Sequence, residues 1–394
     1  MITEDGYKKV GASASKEEVK EAISGQSAGL YPGAFCKIVD DIVGDENYCS
    51  IIHADGAGTK STIAYIHYRE HNDPAIFRGI AQDSTIMNLD DLACVGATSG
   101  FILSNTIGRN AHRIGKDILT HLIEGYQETA DMLNSYGSTT ILAGGETADV
   151  GDLVGTVIVD STVFARLARK DVIDASHIKA GDVIIGLASF GQAIYETSPN
   201  SGIGSNGYSR ARHLLLKNEY ARKYPETFSP TIPNDLVYQG RYGLDDPLPG
   251  DKTMTVGQAL LSPTRTYLPA ISEIFKKHRE NISGVIHCSG GGLTKSMHFS
   301  RAVHFVKNDL FDAPPIFEAM LDTGNISLKE ACKVFNMGQR YEIYASSQSV
   351  DSIISIAEKY GIAAKVIGNV LPGKNTEANS LEINTRGQEL KYGF

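Results

Sequence analysis

His53-Ala54-Asp55-Gly56-Ala57-Gly58-Thr59-Lys60 follows the apolar run Cys49-Ser50-Ile51-Ile52 and leads into Ser61-Thr62-Ile63-Ala64-Tyr65. A β-branched run that arrives at a carboxylate, two glycines, a hydroxyl and a lysine reads as a strand delivering a phosphate- and metal-handling turn. The turn is not a P-loop, because that motif places glycine immediately before the lysine and Thr59 stands there. It also lacks the GxGxxG spacing of a dinucleotide fingerprint. Lys60 keeps two readings, a neutraliser of phosphate or an exposed residue of the following helix.

Downstream, Asp73 to Ala97 carries a helical apolar pattern through Ile76, Ile80, Met87, Leu92 and Val95, interrupted by Asp83, Asp90 and Asp91. An Asp-Asp pair embedded among Met87, Leu89, Leu92 and Val95 is costly unless it is paired or coordinating. A second long helix fits Ile114 to Tyr136, closed by Gly137. Strand Thr139 to Ala143 then runs into a turn, Gly144-Gly145-Glu146-Thr147-Ala148-Asp149, and a strand from Val154 to Leu167 follows. The chain thus twice delivers a carboxylate on a glycine turn just past a strand. Hard cations such as Mg²⁺ take oxygen ligands, commonly one or two carboxylates plus substrate phosphates. Asp55, Asp83, Asp90, Asp91, Glu146, Asp149 and Asp152 form a set suited to converge on a metal-nucleotide complex, although each taken singly also reads as a solvated turn residue.

Upstream, Ser15-Lys16-Glu17-Glu18 has the capping-box pattern and opens a helix to Ile23. Gly25 to Phe35 reads as a plain loop or as a mobile cover over a ligand. The second half starts after a polar connector, with the strand Gly181 to Ala188, and the domain boundary falls at about residue 175. Ser189 to Ser209 is a glycine-, serine- and asparagine-rich loop, and Arg222 to Thr255 is polar and proline-rich, an active-site elaboration or a surface excursion. Helix Pro269 to His278, strand Gly284 to His287, the loop Gly290-Gly291-Gly292 and a helix from Leu293 form another strand-loop-helix unit, whose glycine turn suits a phosphate or a plain structural role. Ser205-Asn206-Gly207 and Ser262-Pro263-Thr264-Arg265 add polar donors. His287, His298 and His304 read as structural. His67-Tyr68-Arg69-Glu70-His71 matches a zinc-peptidase pattern but reads as a charged helix face.

The 394 residues exceed one typical core and favour two domains. A net charge of -9 argues against a nucleic-acid or acidic-membrane surface. The five cysteines form no CxxC pair, which favours reduced thiols and no zinc site. Neither a signal peptide nor a spanning segment is evident, so the expected address is cytoplasmic.

Together these blocks resemble the phosphoribosylformylglycinamidine cyclo-ligase family, the aminoimidazole ribonucleotide synthetases of purine biosynthesis. The resemblance runs from about Lys37 to Ile367 through His53 to Lys60, Met87 to Asp91 with Gly96-Ala97, Gly144 to Ala148, Gly202 to Ser209, Leu261 to Arg265, His287 to Leu293, and Phe335-Asn336-Met337-Gly338. It implies an α/β (α+β) fold of two domains, each a mixed sheet packed with helices. Residues 1–174 would form an ATP/Mg-binding and dimerisation domain, residues 175–394 a substrate-side domain, and the N-terminal halves would pair in a homodimer. It implies ATP phosphorylating the formyl amide oxygen of formylglycinamidine ribonucleotide, after which the amidine nitrogen closes the imidazole ring. Asp55 and Asp91 would be catalytic, and Asp55, Asp91 and Glu146 would hold Mg²⁺. Gly56, Gly58, Thr59, Lys60, Gly145, Glu146 and Thr147 would bind ATP, and Ser205, Asn206, Gly207, Gly290, Gly291 and Gly292 would face the phosphoribosyl substrate.

Three departures mark a divergent branch. The family usually has His-Ser-Asn-Gly-Tyr-Ser, and here Gly204 stands in the histidine's place after an insertion at about Gln192 to Ser201. Gly11-Ala12-Ser13-Ala14 replaces the usual Val-Asp-Ile motif, and Asp90-Asp91 replaces an Asn-Asp pair. The resemblance extends to selenophosphate synthetase, thiamine-phosphate kinase and the hydrogenase-maturation dehydratase. The first would need a reactive cysteine, for which Cys36 is the candidate, and the last a C-terminal one. A nucleotide-binding sensor without turnover is the non-enzymatic alternative.

Overall fold

The computed structural model describes residues 6–12, 17–373 and 378–393. Two helices, α1 (Gly6–Lys9) and α2 (Glu17–Ile23), lead in; Ser15 and Lys16 of the expected capping box lie outside the described residues. Strands β1 (Ile38–Asp40), β2 (Tyr48–Gly56), β3 (Phe101–Arg109), β4 (Thr140–Asp149) and β5 (Val157–Ala168) form a sheet of order β1-β2-β5-β3-β4, antiparallel except for the β3–β4 pair. Helices α3 (Lys60–His71), α4 (Phe77–Cys94) and α5 (Lys116–Ser135) cover one face.

Period-two burial shows why only one face is covered. Along β5, Val157, Val159, Ser161, Val163, Ala165 and Leu167 are buried, while the residues between them face the other way. On that uncovered face Ile52, Phe164, Ile102 and Ile141 align in one row across β2, β5, β3 and β4. Ile52, Ile102 and Ile141 are 65%, 44% and 56% exposed.

The expected turn at Gly144 to Asp149 is instead the continuation of β4. The register slips between Leu103 and Asn105 of β3, and Gly144, at φ +86°, supplies the left-handed residue of this bulge. Gly145 permits close approach there, since a Cβ would lie 2.2 Å from the Asn105 side chain.

The second sheet begins with β6 (Val183–Ala188). Two small ribbons follow, β7 (Phe190–Gly191) with β8 (Asn200–Ser201) and β9 (Pro247–Leu248) with β10 (Asp251–Thr255). Strands β11 (Ile282–His287), β12 (Val303–Lys307), β13 (Gln339–Ala345), β14 (Ala364–Pro372), β15 (Ser380–Thr385) and β16 (Gln388–Tyr392) complete a seven-stranded sheet of order β11-β13-β6-β14-β12-β15-β16. Only β12 and β15 run parallel. Every residue of β13 is buried, as suits a strand covered on both faces. Helices Leu268–His278 and Val350–Lys359 pack against each other, the latter also over β6 and β14. The helix expected from Leu293 is a 3₁₀ segment, Gly292–His298.

The Gln192–Ser201 insertion is the loop that follows β7 together with β8. It is fastened by the ion pair of Glu196 with the buried Arg265 and by Asn200 donating to the Pro263 carbonyl at 2.7 Å. Among the described residues no helix is long and apolar enough to cross a membrane.

Candidate active site

Helix α4 explains how three aspartates occupy an apolar helix. Asp83 and Asp90 are seven residues apart, nearly two full turns, and share a face, whereas Asp91 lies about 100° further round. That shared face meets the second half of the chain. Asp83 Oδ1 accepts from Lys60 Nζ at 2.9 Å, from Thr264 N at 2.7 Å and from Thr264 Oγ1 at 2.6 Å. Asp90 Oδ1 accepts from Thr266 Oγ1 at 2.8 Å and Tyr267 N at 3.2 Å, with Arg340 Nη2 3.8 Å from its other oxygen.

Burial raises the Asp90 carboxyl to about 6, against the charges of His287 and Arg340 and the hydrogen bond from Thr266. Its neutral form is therefore favoured by folding. The stability it confers is complete below the ordinary value of 3.8 and disappears as pH rises through about 6. Asp90→Asn should accordingly flatten the pH dependence. The stability of the parent relative to this variant, from urea unfolding, should fall by roughly 1–1.5 kcal/mol between about pH 5 and pH 7.5. A constant difference would refute the assignment.

Asp91 instead opens on a cleft of about 610 Å³ between the two sheets. Its Oδ1 accepts from His287 Nδ1 at 2.6 Å, and His53 Nε2 stands 3.5 Å from its Oδ2. Burial acts to raise the Asp91 carboxyl, but the hydrogen bond and charge of His287, helped by His53 and Lys295, outweigh it and hold it below the usual range. Asp55, at the end of β2, lines the same cleft, and its carboxyl is raised by burial and then by the negative charge of Asp91.

The tautomer of His53 follows from its neighbours. Asn88 Nδ2 donates to the Asp55, Ser84 and Ser161 carbonyls at 3.1, 3.1 and 3.0 Å, which leaves Asn88 Oδ1 as an acceptor. His53 Nδ1, 2.8 Å away, must therefore carry a proton, and Nε2 is the atom turned to Asp91.

The cleft gathers most of the residues singled out in the sequence. Asp55, Gly56, Gly58, Thr59, Asp91, Ser205, Asn206, Gly207, Gly290 and Gly291 all line it. Lys60 does not. It is fully buried at the start of α3 and bonds Asp83, the Ser262 carbonyl at 2.6 Å and the Gly204 carbonyl at 3.4 Å, so neither the phosphate reading nor the exposed-helix reading describes it. Gly292 is packed behind the loop, where a Cβ would meet the Phe335 carbonyl at 2.4 Å.

Gly145, Glu146 and Thr147 are elsewhere as well. The row Gly56–Asp160–Thr106–Glu146 crosses three strand spacings, about 14 Å, on the uncovered face. Asp55, one residue earlier, belongs to the helix-covered face with its partner Ser161. Within one chain Glu146 thus does not join Asp55 and Asp91. Among the described residues no three His, Cys, Asp or Glu side chains are grouped for a metal ion.

His287, which the sequence reads as structural, meets Asp91 beside the cleft, and His53, Lys295 and Lys333, not among the site residues expected from the sequence, stand on the cleft wall. The signal for His287 was its place as the last residue of a strand feeding a glycine loop. At Gly204, where the resemblance expects histidine, φ is +67° and an added Cβ would lie 3.0 Å from Arg340 Nη1. The Arg340 guanidinium, donating to the Arg265 carbonyl, takes that space. The zinc-peptidase match resolves as a helix face, with His67 near Asp73 and His71 near Asp245.

Comparison with known proteins agrees with this architecture. Residues 33–167 match the AIR synthase related protein N-terminal domain and residues 179–379 the corresponding C-terminal domain. The phosphoribosylformylglycinamidine cyclo-ligase of Methanocaldococcus jannaschii is 28% identical over 86% of this chain and 81% of its own. That of Thermoplasma acidophilum is 26% identical over 91% and 89%. Among solved structures, Thermotoga maritima PurL complexed with FGAR superposes with a TM-score of 0.52 at 16% identity over 97% of this chain, which spans 54% of the PurL chain. AaThiL complexed with AMPPCP and TMP gives 0.51 at 11% identity, covering 96% and 95%. At those identities the two structures speak for the fold alone.

Proposed function

The chain belongs to the AIR synthase related protein family, and from that premise we propose that it is a ligase closing formylglycinamidine ribonucleotide to aminoimidazole ribonucleotide at the expense of ATP, in cytoplasmic purine biosynthesis. The observation that carries this reading is the cleft itself, where Asp55 and Asp91 face glycine loops from both halves beside two histidines. An amide oxygen leaves poorly until it is phosphorylated. The reaction therefore needs a site that positions a triphosphate against a neutral amide and then accepts a proton from the attacking amidine nitrogen.

The residues present fit Mg²⁺. The negative charge of Asp91 raises the Asp55 carboxyl across the cleft, and the buried Asn206 Oδ1 has no partner there. Asp55 and Asp91, with Asn206 beside them, would hold the ion, which when bound supplies charge neutralisation and orientation for the transferred phosphoryl group. His287 fixes Asp91 from behind, and the pair formed by His53 Nε2 and Asp91 is placed to take up the amidine proton. The loops at Ser205–Gly207 and Gly290–Gly291 offer hydroxyl, amide and backbone donors to the substrate.

The uncovered sheet face supports a homodimer. An apolar row spanning four strands would be paired, and Glu146 on the same face would reach a nucleotide only across that junction. Ile141→Asp should give a monomer by light scattering and lower turnover at least tenfold. A wild-type protein that is monomeric at micromolar concentration would contradict this.

The selenophosphate alternative is disfavoured by Cys36, which is buried, hydrogen-bonded to the Asp91 carbonyl and pushed well up by burial. The test of the main reading is ADP release from purified protein. It should depend on formylglycinamidine ribonucleotide and match aminoimidazole ribonucleotide one for one; substrate-independent ADP release would reject it.

A further inference from the structure

Beside the carboxylate cleft lies a second cavity of about 1050 Å³, and Gly58, Thr59 and Ser209 line both. Thr59 Oγ1 and Ser209 Oγ, 3.1 Å apart, form the sill between them. The far wall is the Pro225 to Ile232 stretch of the proline-rich segment. The two cavities differ in charge. The first sets Asp55 and Asp91 against Lys295 and Lys333, whereas among the described residues the second presents Lys8, Lys9, Arg113 and Arg212 against the single carboxylate of Glu226. This concentration of cations belongs to a chain whose net charge is -9.

Two further features point to an anion. The 12-residue helix α3 begins at the cavity, which Thr59, Ser61 and Thr62 line, and Thr59 at its N-cap makes no side-chain cap bond, so the positive end of the helix dipole lies at this space. Arg212, only 4% exposed, lies on the cavity wall. Its Nη1 donates to Thr62 Oγ1 at 3.0 Å, to Tyr238 Oη at 3.2 Å and to the Thr227 carbonyl, while its Nε has no partner. A buried guanidinium on the wall, a helix N-terminus and three further cations bring together positive charge suited to a phosphoryl anion.

We propose that this cavity is a phosphoryl-binding compartment feeding the carboxylate cleft across the Thr59–Ser209 sill. It deepens the reading given above and rests on it for the identity of the ligand, which is either the phosphate monoester of a ribose phosphate or the polyphosphate of a nucleotide. The charge difference between the cavities favours the monoester. Without a metal, Asp55 and Asp91 offset the attraction of Lys295 and Lys333 for a phosphate, whereas in the second cavity four cations face one carboxylate and need no metal.

The test is calorimetric titration with ribose 5-phosphate and, separately, with Mg·AMPPNP at low ionic strength. The triple variant Lys8→Gln/Lys9→Gln/Arg113→Gln changes only side chains at least partly open to solvent. It should weaken ribose 5-phosphate by about tenfold and leave Mg·AMPPNP unchanged; a loss confined to Mg·AMPPNP assigns the compartment to the polyphosphate instead. Glu226→Gln removes the opposing carboxylate and should tighten the same probe about threefold, a sign that loss of fold cannot produce. The proposal is overturned if the wild type binds neither probe, if neither affinity responds, or if only Lys295→Gln in the carboxylate cleft weakens them. Because binding is read without turnover, a protein that forms no aminoimidazole ribonucleotide yet shows these shifts keeps the compartment and loses the cyclo-ligase reading.

Discussion

Asp91→Asn should lower ATP-dependent turnover by about 10²–10³-fold while the protein stays folded. Asparagine keeps an oxygen at the position that accepts from His287 Nδ1, so the buried bond at 2.6 Å survives the change. What disappears is the negative charge, and with it three effects at once. The metal-nucleotide loses a carboxylate, His53 loses the partner that stabilises a proton on Nε2, and the charge that raises Asp55 is gone. His287→Gln should give a smaller loss, because it loosens the orientation of Asp91 and leaves its charge. Turnover unchanged in Asp91→Asn would remove Asp91 from the chemistry.

Lys60→Met should act on stability and leave nucleotide recognition alone. Lys60 and Asp83 are both fully buried, and Asp83 Oδ2 already lacks a partner. Burial lowers the Lys60 ammonium, opposed by the charge and hydrogen bond of Asp83. Removing one member of such a pair leaves the other charge buried and uncompensated, which costs about 3–5 kcal/mol. The loss should appear as a lower urea midpoint, since Lys60 also ties α3 to the Ser262 and Gly204 carbonyls of the second half. At temperatures where the variant is folded, KM for ATP should hold within about twofold. The converse pattern, an unchanged midpoint with a large rise in KM, would restore Lys60 to the phosphate.

The difference between sequence and structure at Lys60 has a simple cause. Motif order shows that a lysine follows a glycine turn, but the direction of its side chain depends on where the helix begins to turn. Here the helix starts at Lys60 itself and directs it into the junction with Asp83. Asp55 and Asp91 were legible because both sit where an apolar run ends or is interrupted by a costly charge. Glu146 was legible as a carboxylate near glycines but not as a residue of the uncovered face. That fact resides in the β3–β4 register and the bulge at Gly144, which involve partners about 40 residues away in sequence. The long helices α4 and α5 followed from periodicity, whereas the architecture of two mixed sheets packed with helices came from the family resemblance. The identity of the third carboxylate's face, the Arg340 guanidinium beside Gly204 and the bond from His287 to Asp91 are long-range contacts with no local pattern.

The fate of one oxygen atom decides the central claim. Formylglycinamidine ribonucleotide labelled with ¹⁸O in its formyl group, turned over with unlabelled ATP in ordinary water, should transfer that oxygen to phosphate. Mass analysis should find one ¹⁸O in the inorganic phosphate for every aminoimidazole ribonucleotide formed. Unlabelled phosphate alongside ring-closed product would contradict phosphorylation of the formyl oxygen at the Asp55–Asp91 cleft, and so would ADP release with no ring closure at all.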